Sequence, residues 1–303
     1  MDLPNNPLIN STLGLLDGDL KSQQDHTEGT QVWGSDSSLT LATINALSNG
    51  YNLIDIMNEF EKWYAEGKYT ANGQIQTIGK TTQGAILRFS ENHDPFSSGG
   101  IAEDDNGSGA LTRMMPVILY LYSQYGSDFI NNETAMLTLH QIAGLTHNHP
   151  RGLVGIGLYA ILIGQILDGF DLEMALDRAV GLAYEYYSEH DIFAEALSEF
   201  ENLNTPDFVN KPMKELKATG YIVDTLEVIT WVLLNTDSYD AAMKLTVEIP
   251  GKSHAILPLV GTVAAIIYQQ HDYPSDIVTH DMQTELETLL NKAVLSGKFA
   301  IYS

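Results

Sequence analysis

Apolar residues along the chain recur at intervals of three and four, the spacing that lines one face of an α-helix. The clearest stripe begins at Asp171. Leu172, Ala175, Leu176, Ala179, Val180, Ala183, Tyr184 and Tyr187 share one face, and Asp171 stands where a side-chain oxygen caps a first turn. The same period runs through 39–47, 53–63, 81–89, 111–122, 135–145, 222–234 and 255–268. No segment alternates apolar and polar residues between hairpin turn signals, because Asn72-Gly73 and Asn106-Gly107 are flanked by polar loops or helix starts. The pattern predicts an all-α chain broken at 67–79, 92–109, 202–212 and 250–253. The break at 92–109 is the longest, and with Glu103, Asp104 and Asp105 it reads as an exposed, mobile loop. No fixed-period repeat or linker composition divides the chain, so 1–303 reads as one domain with 1–12 as a disordered lead-in.

Composition narrows the picture. The 303 residues are 44% hydrophobic and 9% aromatic, enough for a sizeable core and too apolar for wholesale disorder. The longest apolar runs, 153–167 and 255–268, are shorter than the ~20 residues that cross a bilayer and read as buried helices. Fifteen Lys and Arg face 39 Asp and Glu, a formal charge of −24, while the charged fraction of 18% is low. The imbalance therefore reflects scarce bases. Such a chain lacks the clustered cations that hold nucleic-acid phosphates or an anionic membrane surface. Without cysteine it has no disulfides, no thiolate metal ligands and no cysteine nucleophile. Met1 to Pro4 carry no basic segment ahead of an apolar stretch, so no secretory leader is expected and the cytoplasm is the expected compartment.

A series of segments, in order, resembles one family. Gly14-Leu15-Leu16-Asp17-Gly18-Asp19 is similar to the opening Gly-x-x-x-Gly-Asp of the ADP-ribosylglycohydrolases. Trp33-Gly34-Ser35-Asp36-Ser37-Ser38 falls where that family has Thr-Asp-Asp-Thr before a helix. Tyr69-Thr70, Ile78-Gly79-Lys80-Thr81-Thr82, Asn106-Gly107-Ser108-Gly109, Thr146-His147-Asn148-His149-Pro150 and Gly220-Tyr221-Ile222-Val223-Asp224-Thr225-Leu226-Glu227 follow in register. The resemblance covers roughly 13–268 and implies a compact, orthogonally packed all-α domain. It also implies magnesium as cofactor, with two ions between the early aspartates and a late Gly-Gly-Asp-Thr-Asp-Thr, and an ADP-ribosyl substrate.

At those positions this chain departs from the family. The early block, Gly34-Ser35-Asp36-Ser37, keeps one carboxylate, and the late block reads Pro250-Gly251-Lys252-Ser253-His254-Ala255, with Lys252 and His254 replacing both aspartates. Thr77 stands where the family often has aspartate before Ile-Gly. Two divalent ions bring four positive charges to one matched carboxylate, and Lys252 adds a fifth; at ~4 Å each unit-charge pair is worth ~4 kcal/mol at an effective dielectric near 20. No metal cofactor is therefore expected. Lys252 could stand where a metal stood, pairing with Asp36 and offering a point charge to a phosphate, or the pair could simply hold two loops together.

The ligand-holding positions survive better. The resemblance places Ser108 and Gly109 in a phosphate-contacting loop, Gly79 at a similar helix start, and His147 against the ligand; a helix N-terminus suits an anion without metal. His147 also reads as a buried imidazole bonded to backbone carbonyls. Arg113 reads as the partner of a buried carboxylate such as Asp19 or Asp224, while Asp224, Thr225 and Glu227 read as structural, and Tyr184, Tyr186 and Tyr187 as core and rim. The expected partner is an ADP-ribose-like small molecule or an ADP-ribosylated protein. The preferred reading is a pocket that binds this ligand without hydrolysing it. The alternatives are a metal-independent hydrolase using Asp36 as general base with Lys252 as electrostatic stabiliser, and a purely structural protein.

Overall fold

All the predicted stripes fold as helix. The computed structural model describes residues 6–22, 32–205, 207–269 and 280–301, and these carry α1 (Pro7–Ser22), α2 (Ser35–Leu47), α3 (Leu53–Glu66), α4 (Lys80–Asn92), α5 (Met115–Tyr125), α6 (Glu133–Gly144), α7 (Pro150–Leu167), α8 (Leu172–Ser188), α9 (Asp191–Leu197), α10 (Ile222–Leu234), α11 (Tyr239–Glu248), α12 (Leu257–Ile267) and α13 (His280–Leu295). The stripe at 111–122 is divided between a 3-10 segment, Ser108–Arg113, and α5, which restarts with Pro116 in its first turn, where a missing N–H costs nothing. The one at 255–268 divides likewise into Ser253–Ile256 and α12. The disordered lead-in is a correction: α1 starts at Pro7, and Leu8, Asn10 and Thr12 are buried within it, while 1–5 lie outside the described residues.

Glycine sets the closest helix pair. α1 and α12 make the most extensive contact in the fold. A Cβ on Gly14 would stand 2.1 Å from the Gly261 carbonyl oxygen, and one on Gly18 2.4 Å from that of Leu257, so only hydrogen atoms fit between the two backbones. The Gly-x-x-x-Gly spacing thus serves packing. It also aims the next residue, Asp19, at the start of α2.

α7 is apolar nearly all round, which a helix tolerates only when surrounded. It is long and apolar enough to cross a membrane, yet 78% of it is buried inside the fold against α5, α6, α8, α9 and α10. At Gly157 it admits the Tyr187 hydroxyl from α8, which also lies 2.7 Å from His140 Nε2 on α6.

Among the described residues there are no strands. Three isolated bridges, Gly100 to His147, Gly107 to Tyr221 and Ala218 to Gly251, lace together the loops at one end of the bundle. They correct the mobile-loop expectation for 92–109. That segment is largely exposed, but Arg88 holds the Ser98 carbonyl, Gly100 bonds both Thr146 and Asn148, and Asp105 accepts from Thr81. Of the acidic run, Glu103 and Asp104 are exposed, though Glu103 pairs with Arg151, and Asp105 is half-buried.

Candidate functional site

The laced loops meet the start of α2. Asp19 Oδ2 accepts from the Gly34 N–H at 2.9 Å, the Ser37 N–H at 3.2 Å and the Ser37 hydroxyl at 2.7 Å, so a buried carboxylate from α1 fixes the turn into α2. This fixes Ser35 and Asp36 half-buried at the head of the helix. Asp36 Oδ1 accepts from the Thr112 hydroxyl at 3.2 Å. Burial, then the neighbouring Asp19, pushes the Asp36 carboxyl from 3.8 up to about 7, against the opposing pull of Thr112 and Arg113.

Arg113 is fully buried beneath this point. Its guanidinium donates to the Gly109 carbonyl at 3.1 Å, the Ala143 carbonyl at 3.4 Å and the Thr146 hydroxyl at 2.6 Å, and lies 5.4 Å from the centre of the Phe60 ring. Burial lowers it to about 9, with Asp36 the carboxylate that offsets the effect. This replaces the expected pairing with Asp19 or Asp224, for Asp19 serves α2 and Asp224 accepts from Thr219. The expected structural role of Glu227 has a visible basis, as it accepts from Asn202 and Lys211 and ties residues 202–211 to α10.

Thr146 carries the arrangement to His147. Its hydroxyl oxygen accepts from Arg113 and lies 2.7 Å from His147 Nδ1. Arginine can only donate, so the Thr146 hydroxyl accepts on that side and keeps one proton and one lone pair for its other contacts. Burial, then Arg113, lowers His147 to about 3, so the ring is neutral at physiological pH. Its Nε2 faces the Ser108 loop, 3.3 Å from where a Cβ on Gly109 would be and 3.9 Å from one on Gly107. The buried imidazole is thus bonded through a hydroxyl, not the expected backbone carbonyls, and its Nε2 edge faces Gly107 and Gly109.

Helix starts converge on the same loop. The 3-10 segment Ser108–Arg113 packs against α2, α4, α7 and α10. Ser108 N–H bonds the Gly220 carbonyl and Ile222 N–H the Asn106 carbonyl, which brings the start of α10 alongside. Gly79 begins α4, placing Thr82 beside Gly109. None of α2, α4 and α10 has a capping side chain on its N-cap residue, which is Gly34, Gly79 and Tyr221 respectively. In α3, α6, α8 and α11, by contrast, Asn52, Asn132, Asp171 and Ser238 cap the first turn. Asp19 accepts at the start of α2, and the Thr219 hydroxyl and the Asn106 carbonyl accept from Tyr221 and Ile222 at the start of α10; the start of α4 has no acceptor on its N-cap residue, which favours an anion.

The late block is tied to the 218–221 segment, for Lys252 N–H bonds the Ala218 carbonyl at 2.6 Å, and its 3-10 turn packs against α1. The Lys252 side chain is exposed, and the charged groups that bear on Asp36 are Asp19 and Arg113. The expected Lys252–Asp36 ion pair is therefore corrected. His254 is half-buried in its 3-10 turn, Ala255 and Thr77 are exposed, and Ser253 turns inward to the Val247 carbonyl.

The matched positions offer few of the oxygen ligands that a dimagnesium site takes. Magnesium takes six oxygen ligands in a strict octahedron. Of the matched positions only Asp36 offers a carboxylate, nearby Asp19 is occupied by three donors to one oxygen, and the late block offers a lysine and an imidazole. Among the described residues no three His, Asp or Glu side chains converge as metal ligands. Sequence reasoning missed Thr112, Thr146 and the anchoring role of Asp19; for the last, the Gly-Asp pair was the visible signal.

Residues 6–298 match the ADP-ribosylglycohydrolase family. ADP-ribosylarginine hydrolase Tri1 of Serratia proteamaculans (strain 568) is 21% identical over 255 residues, 84% of this chain and 64% of that protein. Tri1 of Pseudomonas putida (strain GB-1) is 21% identical over 81% of this chain and 61% of its own length. The ADP-ribosyl-(dinitrogen reductase) glycohydrolase of Rhodospirillum rubrum is 23% identical over 84% of this chain and 74% of its own. The chain thus spans less than two thirds of the length of either Tri1 relative. A solved chain of an ADP-ribosylglycohydrolase-related protein complex shares the fold, with a TM-score of 0.67 at 19% identity over 97% of both chains. Matched along nearly its whole length, the chain belongs to the ADP-ribosylglycohydrolase family.

Proposed function

We propose that this protein binds ADP-ribose, free or attached to a protein, at the Ser108 loop, and that it does so without a dimagnesium centre and without cleaving the glycosidic bond. The observation that carries the reading is the meeting of the uncapped starts of α4 and α10 with the Ser108–Arg113 segment, beside a neutral His147 whose Nε2 faces that segment. Backbone N–H groups at helix starts suit a diphosphate on a chain of net charge −24, where surface cations are scarce, and an imidazole protonated on Nε2 would add a donor. The names of the Tri1 and dinitrogen reductase relatives support the ADP-ribosyl class of ligand. The lone carboxylate Asp36 supports the loss of metal-assisted hydrolysis.

Calorimetric titration with ADP-ribose, in magnesium and then in chelator, tests this. Binding that persists in chelator, with no release of ADP-ribose from ADP-ribosyl-arginine or ADP-ribosyl-serine peptides, is the expected result. Magnesium-dependent cleavage overturns the reading, and absence of binding in both buffers leaves a structural role. One observation favours a second reading: a carboxyl near 7 is placed to act as general base at neutral pH. That hydrolase would work in chelator and lose its activity in Asp36→Asn.

A further inference from the structure

A cavity lies behind the 146–148 segment. The chain alternates there: the His147 ring faces Gly107 and Gly109, while Asn148 turns the other way, its Oδ1 2.8 Å from where a Cβ on Gly144 would be. Asn148 and Gly144 line a cleft of about 540 Å³, within the size range of small-molecule sites. Its walls come from α6, the α8–α9 junction and the 93–100 loop.

Aromatic rings, tilted to one another, follow along its wall. Tyr186 and His190 have ring centres 4.6 Å apart, His190 and Phe193 6.3 Å, and Phe193 and His140 5.3 Å. Phe96, 66% exposed, adds a ring at the rim. Glu133 lines the cleft from the first turn of α6, and no lysine or arginine lines it. Burial lowers His140 to about 4, so that ring is neutral at physiological pH. Ring faces are electron-rich and attract cations, and a carboxylate at the rim adds to that attraction.

We propose that this cleft is a binding site for a planar organic cation, an aryl-guanidinium or a positively charged heteroaromatic ring, separate from the site at the Ser108 loop. The ring stacks along Tyr186, His190 and Phe193, and its charge lies towards Glu133.

The test uses the full chain and phenylguanidinium as probe, with benzoate as the control of similar size and opposite charge, read by calorimetry and saturation-transfer NMR. Phenylguanidinium is expected to bind at least about tenfold more tightly than benzoate. Glu133→Gln, at an exposed position, is expected to weaken the cation about fivefold, and Phe193→Leu about tenfold. Both variants should leave ADP-ribose titrations unchanged, which separates failure here from failure of the ligand assigned above. No binding of phenylguanidinium up to ~10 mM, equal binding of benzoate, or full affinity in Glu133→Gln overturns the proposal. Glu133→Gln decides it alone if Phe193→Leu does not fold.

Discussion

Replacing Asp36 by asparagine removes the titrating group and keeps an Oδ1 that accepts from Thr112. In the fold, burial and then Asp19 raise Asp36 from 3.8 to about 7. Between those values the folded chain holds a proton that the unfolded chain has released, so stability falls as pH rises from about 4 to about 7 and stays lower above it. A shift of about three units corresponds to about 4 kcal/mol. The half-buried carboxyl keeps some contact with water, which screens this to about 2–3 kcal/mol. A neutral amide at this position carries no such cost. Asp36→Asn is therefore expected to be about 2–3 kcal/mol more stable than wild type near pH 8 and less than about 1 kcal/mol more stable near pH 4.5, measured by urea unfolding at each pH. In thermal melts the same gain is about 5 °C near pH 8. A variant less stable than wild type near pH 8, or a difference that does not change between the two pH values, refutes the reasoning. Either result means that Asp36 is ionised and partnered in the fold, as a metal ligand or the partner of Lys252 would be.

Arg113→Lys keeps the charge but loses the fork that reaches Gly109, Ala143 and Thr146 together, and is expected to cost about 3 kcal/mol in urea unfolding; a cost under about 1 kcal/mol would mean these bonds are replaceable. Gly18→Ala puts a methyl 2.4 Å from the Leu257 carbonyl oxygen, forcing α1 off α12; a loss of about 3 kcal/mol or failure to fold is expected, and wild-type stability would contradict the close approach. Lys252→Ala, at an exposed side chain, is expected to change stability by no more than about 0.5 kcal/mol and to leave the pH dependence of the Asp36 comparison where it was. A displaced pH midpoint would place Lys252 within reach of Asp36 after all.

Periodicity showed the elements that bury a regular face, which is why α3, α8 and α10 match their stripes so closely. It did not show α1, because Gly14 and Gly18 weaken the local helical signal and are explained only by the α12 backbone that they meet. Nor did it show that Pro116 lets a new helix start within one apolar run. Motif order placed Ser108, Gly109, Asp36 and His147 around one loop, and the structure brings those together through Thr112 and Arg113. It paired Lys252 with Asp36, whereas the Lys252 side chain is exposed and the 250–252 turn hydrogen-bonds Ala218, which register along the chain does not show. Thr146 stands in the Thr-His-x-His-Pro segment, but its role, like that of Thr112, follows only from which buried groups it joins.

The net charge bears on the site through distance. A charge of −24 spread over the surface repels a diphosphate at long range. At the Ser108 loop the local balance differs: burial and Asp19 raise the Asp36 carboxyl and so reduce its charge, Asp19 is held by three donors, Arg113 is buried below, and the start of α4 has no capping side chain on its N-cap residue. Salt shortens the Debye length from about 30 Å at 0.01 M to about 10 Å at 0.1 M, which removes the repulsion between exposed charges but touches contacts inside the cleft much less. Raising salt from about 0.01 M to about 0.15 M is therefore expected to leave ADP-ribose affinity unchanged or to tighten it about twofold, the reverse of a site built from surface lysines and arginines. A calorimetric series in sodium chloride measures this. A tenfold loss of affinity over that range would mean that exposed cations hold the phosphates, and the dipole account of the pocket would have to be given up.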